Sequence, residues 1–120
     1  MSNNHFWGFH TLIDAADCLR SAVTNPDTIA AFCKELVVAI DMVAYGEPQL
    51  VHFGEDNKAG WTAIQLISTS NFMMHACDST GDIYFDCFSC KPYDVTTVEQ
   101  VFRKYFAPQR IRINYITRQA

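Results

Sequence analysis

Apolar residues recur along the chain with two different periods, and these periods predict its helices and strands. In residues 28–43 they return every three or four positions, which is typical of an amphipathic helix. The preceding Asn-Pro-Asp at 25–27 supplies a cap, a first-turn proline and an acidic first turn. Residues 94–106 predict a second helix, in which Thr96 and Glu99 have the spacing of a capping box.

Strands are predicted where branched and aromatic residues stand between short polar turns. The clearest is 109–117, because Ile111, Ile113 and Tyr115 alternate with polar neighbours. The polar segment 54–60 has a glycine at each end and suits a hairpin loop. In all, the pattern predicts strands at residues 7–14, 49–53, 61–67, 71–77, 82–90 and 109–117.

The order of these elements predicts the fold class. It is strand, helix, several consecutive strands, helix, strand, and consecutive strands joined by short turns pair antiparallel. Two amphipathic helices can cover one face of such a sheet. We therefore expect an α+β fold, a two-layer α/β sandwich with a mainly antiparallel sheet and two helices on one face. Residues 1–120 fit a single domain, and the second sheet face stays free for a partner or a site.

Composition narrows the classes of function. Hydrophobic residues make up 49% of the chain and charged residues 18%, which is typical of a globular protein. The net charge of −4, without a run of Lys or Arg, argues against a nucleic-acid partner. Apolar stretches are far shorter than the ~20 residues of a membrane span, and no signal peptide pattern is present. We therefore expect a cytoplasmic protein that does not enter a membrane.

The cysteines do not predict a metal site. Their odd number, five, without a secretion signal argues for free thiols in a reducing compartment. Cys87 and Cys90 form a C-x-x-C segment, but no second pair of Cys or His residues completes a zinc site. We therefore expect no bound metal.

The residues whose side chains are best suited to catalysis are Ser70, His75 and Cys90. They provide a hydroxyl, an imidazole five residues later and a thiol fifteen residues after that. These groups serve in nucleophilic and acid–base catalysis. A histidine packed in a core and an inert buried cysteine would give the same pattern. From the residues alone, both interpretations stay open.

The spacing of Ser70, His75 and Cys90 resembles that of the pyruvoyl-dependent S-adenosylmethionine decarboxylases, in their short prokaryotic and phage-borne form. Segment 8–14, with its Gly-Phe-His start and final Asp, is also similar to that family, as is Asp86 four residues before the cysteine. The similarity extends over most of the chain.

This resemblance implies a precursor that cuts its own backbone between Thr69 and Ser70. The Ser70 hydroxyl would attack the carbonyl of Thr69. His75 would then remove the Cα proton of Ser70, so that a pyruvoyl group remains on the second chain. The resemblance also implies that the hydroxyl of Thr62 assists this processing.

The resemblance further implies an enzyme that decarboxylates S-adenosylmethionine for spermidine biosynthesis. The pyruvoyl group made from Ser70 would be its cofactor and electron sink, and Cys90 would return a proton to the carbon that loses CO2. Phe53 is expected to stack on adenine and Phe72 to line the pocket, although core packing is the alternative for both rings. A homodimer of processed subunits is implied as well.

Two positions depart from the family's pattern. The residue before the cleaved bond is usually Glu but is Thr69 here, while the attacking hydroxyl is intact. Many relatives have a carboxylate four residues after the histidine, which holds the ribose; here Ser79 occupies that position and Asp78 precedes it. Loss of that group weakens the expected specificity. Two alternatives stay open: the same machinery acting on arginine or ornithine, and an uncleaved, inactive relative that binds a ligand.

Overall fold

Six strands of alternating apolar and polar residues form one antiparallel sheet. The structure, a computed structural model, describes residues 5–120. The strands are β1 (Gly8–Ala16), β2 (Gln49–Phe53), β3 (Gly60–Ile67), β4 (Ser70–Cys77), β5 (Ile83–Ser89) and β6 (Arg110–Arg118). Their order across the sheet is β2-β3-β4-β5-β1-β6, and every neighbouring pair is antiparallel. The predicted antiparallel sheet is confirmed.

Two main helices pack together against one face of this sheet. They are α2 (Pro26–Ala39) and α3 (Val95–Phe106), and their buried residues share one cluster with buried residues of the strands. The predicted α+β sandwich is therefore confirmed. A short helix, α1 (Arg20–Val23), was not predicted, because its four residues are too few to show a helical period. In the described range, no helix is long and apolar enough to cross a membrane.

Helix α2 begins as predicted but ends earlier than predicted. The Asn25 side chain accepts a hydrogen bond from the Asp27 N–H, which caps the first turn. At the other end Asp41 has a φ of +58°, and the Met42 N–H donates to the Val37 carbonyl at 2.9 Å. This left-handed ending stops the helix at Ala39, so the prediction that it continues to residue 43 is wrong.

Helix α3 has a different cap from the one predicted. The Asp94 side chain accepts a hydrogen bond from the Thr96 N–H at 2.9 Å. The predicted capping box, with Thr96 as the cap, is therefore wrong, because Asp94 occupies the capping position two residues earlier. Glu99 instead pairs with Arg103, one turn further along the helix, at 2.8 Å.

A cluster of phenylalanines lies between the helices and the sheet. The Phe32 ring meets Phe85, Phe102 and Phe106 edge to face, with centroid distances of 5.4, 5.8 and 5.0 Å. Burial of one such ring contributes about 1.5–3 kcal/mol. Because Phe85 belongs to β5 and Phe72 of β4 packs beside it, this core holds the two central strands that carry the site.

The opposite face of the sheet is open to solvent and rich in apolar residues. Tyr84 is 54% exposed, Phe53 56% and Met73 41%, although all three lie in strands. Val51 of β2 and Ile116 of β6 extend the apolar surface toward both edges. We call this surface the open face. Apolar surface of this extent is typical of an interaction site.

Candidate active site

The tight turn between β3 and β4 contains the predicted cleavage point. Ile67 pairs with Ser70, so Ser68 and Thr69 alone connect the strands. Thr69 has a φ of +59°, which is unfavourable for a β-branched residue because its side chain crowds the backbone. The other four non-glycine residues of the described range with positive φ are three Asp and one Ala. Backbone strain is therefore located at the residue before the predicted cleaved bond.

Ser70 is the first residue of β4, and its hydroxyl is held in one direction. The residue is 8% exposed, and its Oγ accepts a hydrogen bond from the Cys90 N–H at 2.9 Å. A donor aimed at this oxygen stabilises negative charge that develops on it. The contact thus favours Ser70 Oγ as a nucleophile.

Cys90 contacts both residues of the predicted cleaved bond. Its N–H binds Ser70 Oγ, and its Sγ lies 2.7 Å from Thr69 Oγ1. The thiol is partly exposed, whereas the other four cysteines are buried: Cys18, Cys33, Cys77 and Cys87. The structure therefore brings Ser70, Thr69 and Cys90 together; we call these three residues the turn cluster.

Two cavities border the turn cluster. The larger, of about 520 Å³, is lined by Tyr45, Leu66, Ile67, Ser68, Thr69, Ser70, Asn71 and Phe88. The smaller, of about 240 Å³, is lined by Asp41, Met42, Val43, Ser68, Thr69, Cys90 and Lys91. The larger cavity is within the usual range for a small-molecule site.

Thr62 and His75 form a second cluster on the open face. They are register partners in β3 and β4, and Thr62 Oγ1 lies 2.7 Å from His75 Nδ1. His75 Nε2 lies 2.7 Å from the Lys58 carbonyl oxygen. Because a carbonyl only accepts, Nε2 carries the proton, and in the neutral ring the Thr62 hydroxyl donates to Nδ1. These contacts fix the tautomer and orientation of the imidazole.

The two clusters are far apart within one chain. Ser70 and His75 are five positions apart in β4, which at about 3.3 Å per residue is roughly 16 Å. An odd separation also places the two side chains on opposite faces of the sheet. Burial agrees, since Ser70, Phe72 and Met74 are buried while His75 is partly exposed. His75 therefore does not reach Ser70 or Cys90 of its own chain.

The two predicted substrate-binding rings occupy different environments. Phe53 is 56% exposed, and its ring centroid lies 6.2 Å from that of His75, so core packing does not account for it. Phe72 is 1% exposed and packs 6.2 Å from Phe85. For Phe72 the alternative of core packing applies, and a direct contact with substrate stays a prediction.

Asp78 does not supply the carboxylate that the resemblance leads us to expect four residues after His75. Asp78 Oδ2 lies 2.6 Å from His52 Nε2, and the His52 ring meets the ring of Trp61 at 5.1 Å. Because Trp61 packs against the core, the His52 side chain and the Asp78 carboxylate bound to it lie on the helix side of the sheet, away from His75. Ser79 has a hydroxyl but no carboxylate to offer.

The family-like residues His10, Asp14 and Asp86 lie on the open face in β1 and β5, beside the two clusters. His10 Nε2 is 3.4 Å from Asp86 Oδ1, and Arg118 donates to His10 Nδ1 at 2.9 Å. In the same face Arg112 pairs with Asp14 at 2.8 Å. These contacts give the open face a charged region near its β6 edge.

Two groups that orient the side chains of the site are not indicated by the sequence. The Lys58 carbonyl orients His75, and the Cys90 N–H orients the Ser70 hydroxyl. Both are backbone groups, which every residue carries, so no side-chain pattern indicates them. Within residues 5–120 there is no group of three or more His, Cys, Asp or Glu residues placed to hold a metal ion.

Comparisons with known proteins identify the family. Of solved structures, the adenosylmethionine decarboxylase from Aquifex aeolicus has the same fold, with a TM-score of 0.81 and 16% sequence identity over 96% of this chain and 92% of that chain. A search of curated proteins gave no significant match. A model of the S-adenosylmethionine decarboxylase family matches residues 9–119. With almost the whole chain matched by that model, the protein belongs to the S-adenosylmethionine decarboxylase family.

Proposed function

We propose that this protein is a precursor that cuts itself between Thr69 and Ser70 and then decarboxylates S-adenosylmethionine. The observation that carries the proposal is the turn cluster, in which a strained Thr69 precedes a Ser70 hydroxyl held by the Cys90 N–H. Membership of the family supports the substrate. The product would be the decarboxylated form that spermidine biosynthesis uses.

Self-cleavage follows from the groups around the turn. Ser70 Oγ bonds to the Thr69 carbonyl carbon, the C–N bond between the two residues breaks, and the nitrogen receives the hydroxyl proton. The amide thus becomes an ester, and strain of about 1–3 kcal/mol at Thr69 can be released. Removal of the Ser70 Cα proton then expels residues 1–69 with a free carboxylate. Water replaces the nitrogen of residue 70, which leaves as ammonia, and a pyruvoyl group remains.

Relief of the strain at Thr69 should slow this cleavage. Thr69→Gly adopts a positive φ without steric cost, so the precursor should be cut about tenfold more slowly. The intact mass of freshly purified protein, followed over time, measures the rate. Thr69→Ala also lacks the hydroxyl but keeps Cβ, and it should be cut faster than Thr69→Gly. Equal rates for Thr69→Gly and the parent would show that strain does not assist the reaction.

The chain's own residues fit a pyruvoyl group at position 70. In decarboxylation that group acts as an electron sink for the carbon that loses CO2. Cys90 is the residue that can return a proton to this carbon, because its partly exposed thiol lies at the turn. The larger cavity, which has room for a small molecule, is lined by Thr69 and Ser70, and Cys90 lines the smaller cavity on the same turn. We therefore assign Cys90 as the proton donor.

Thr62 and His75 supply the base that the turn cluster lacks. Nδ1 of the neutral His75 ring can accept a proton, and the Thr62 hydroxyl bound to it can pass one on. Within one chain these groups are roughly 16 Å from Ser70. The proton on the Ser70 Cα is thus out of reach of His75 in a monomer.

A homodimer through the open face would bring the two clusters together. Leu66, Asn71 and Phe88 lie on the open face and line the larger cavity together with Thr69 and Ser70. A two-fold axis through this face would therefore set His75 of one copy over the cavity beside the other copy's turn cluster. Phe53 then adds an exposed ring beside the shared site, where it can stack on adenine and attract the sulfonium cation. The exposed apolar residues of the open face, such as Met73 and Tyr84, would be buried in the interface. We infer that each active site uses residues of two subunits.

Release of CO2 tests the choice of substrate. Purified, cleaved protein is incubated with carboxyl-labelled S-adenosylmethionine, arginine or ornithine, and the released label is counted. We expect release from S-adenosylmethionine only. The engagement of Asp78 by His52 is the observation that favours the alternative of a smaller substrate. Release from arginine or ornithine alone would establish that alternative, and a chain that stays uncut would favour an inactive binding relative.

A further inference from the structure

Thr69 belongs to a chain of hydrogen bonds that ends at the Cys90 thiol. Its Oγ1 donates to the Ser68 carbonyl oxygen at 2.7 Å, and Cys90 Sγ lies 2.7 Å from the same Oγ1. A hydroxyl has one proton to donate. Since that proton is directed to Ser68, the Cys90 S–H must be the donor in the contact with Thr69. The S–H bond of Cys90 is therefore aimed at Thr69 of the turn.

We propose that Thr69 is a positioning residue for Cys90: in the precursor the Thr69 hydroxyl accepts a hydrogen bond from the Cys90 S–H and so orients the thiol. This inference rests on the proposed role of Cys90 as the proton donor of the decarboxylase. It also gives a reason for the departure from Glu at this position. In the uncut precursor a neutral hydroxyl accepts the S–H hydrogen bond without adding a negative side-chain charge beside the sulfur, whereas a Glu side chain would add one.

The charged groups near the thiol are already paired with each other. Lys91 and Asp41 line the smaller cavity together with Cys90 and Thr69. Lys91 Nζ donates to the Asp41 carbonyl oxygen at 2.6 Å and lies 3.1 Å from its carboxylate Oδ2. The ammonium group is thus engaged with Asp41, and Thr69 Oγ1 supplies the hydrogen bond that Cys90 Sγ makes.

Alkylation of Cys90 measures this contact without any need for cleavage or activity. The Ser70→Ala precursor is treated with iodoacetamide at neutral pH. The fraction of the Cys90 peptide that is alkylated is then followed over time by mass spectrometry. Cys90 is the partly exposed thiol of the chain. Burial raises the pKa of Cys33 and Cys87 to about 12, and burial together with nearby carboxylates raises the pKa of Cys18 to about 12 and also raises that of Cys77. The buried thiols therefore stay protonated and do not compete.

In this precursor Thr69→Val removes the hydroxyl and keeps the shape of the side chain. We expect Cys90 to be alkylated about two- to tenfold faster, the range that corresponds to the net contribution of one hydrogen bond. Thr69→Ser keeps the hydroxyl and should react at the rate of the unaltered precursor. An unchanged or slower rate in Thr69→Val would overturn the proposal, and so would faster reaction in both variants, which would implicate the methyl group.

A second variant protects the test against misfolding. If thermal melting shows that Thr69→Val is unfolded, Thr69→Ala takes its place with the same expected increase and the same contrary outcomes. Because all these measurements use an uncleaved precursor, they are independent of the substrate. Failure to release CO2 from S-adenosylmethionine would refute the proposed function and leave the contact between Thr69 and Cys90 as measured.

Discussion

A Ser70→Ala variant should remain one uncut chain without decarboxylase activity, whereas the parent protein should separate into residues 1–69 and 70–120. The reason is that the substitution removes the oxygen that attacks the Thr69 carbonyl carbon, and the turn offers no replacement in the same position. Intact mass under denaturing conditions distinguishes the two results. In the parent, the second fragment should also have a blocked N-terminus, because a pyruvoyl group has no amine.

Ser68→Ala is the matched control for this experiment. Ser68 lies in the same two-residue turn, but its hydroxyl is not next to the bond that breaks. This variant should be cut like the parent. In Ser70→Ala the Cys90 N–H loses its acceptor, which costs about 1–3 kcal/mol of unfolding free energy. Cooperative melting of the variant would show that it is folded, and cleavage or activity in a folded Ser70→Ala protein would refute the proposed nucleophile.

Much of the fold could be predicted because the chain's local patterns agree with its tertiary structure. The alternation around Ile111 and Ile113 places them against the core in β6, and the helical period of residues 28–39 places Phe32 there as well. The errors occur where one residue decides the outcome. Asp41, which adopts a positive φ, ends α2, and no period can reveal such an ending.

The composition of the candidate site was also predictable, but its arrangement was not. The spacing pointed to Ser70 and His75, yet the predicted strand began at residue 71 and so left Ser70 in an irregular segment. In the structure β4 begins at Ser70, so Ser70 and His75 belong to the same strand. Because they are five positions apart in that strand, their side chains point to opposite faces and lie roughly 16 Å apart. The pairing of Thr62 with His75 depends on the register of β3 and β4, which the sequence alone does not define.

Dimers that combine a His75→Ala subunit with a Cys90→Ala subunit should recover about half of the parent's activity, although each variant alone is nearly inactive. Alone, His75→Ala lacks the base and should stay largely uncut. Alone, Cys90→Ala should be cut at least in part but should lose most turnover. In the mixed dimer, one of the two sites joins an intact Ser70 and Cys90 to an intact His75. The other site lacks both groups.

Two different affinity tags, one on each variant, isolate the mixed dimer, and mass spectrometry and CO2 release are measured on it. The His75→Ala chain should now be cut, since its Ser70 faces the intact His75 of the other subunit. A mixed dimer of Ser70→Ala and Cys90→Ala is the matched control. It should stay inactive, because both residues belong to one turn cluster and neither site is complete. Mixed dimers of the first kind that stay uncut and inactive would refute a site shared between subunits, and His75 would need another route to Ser70.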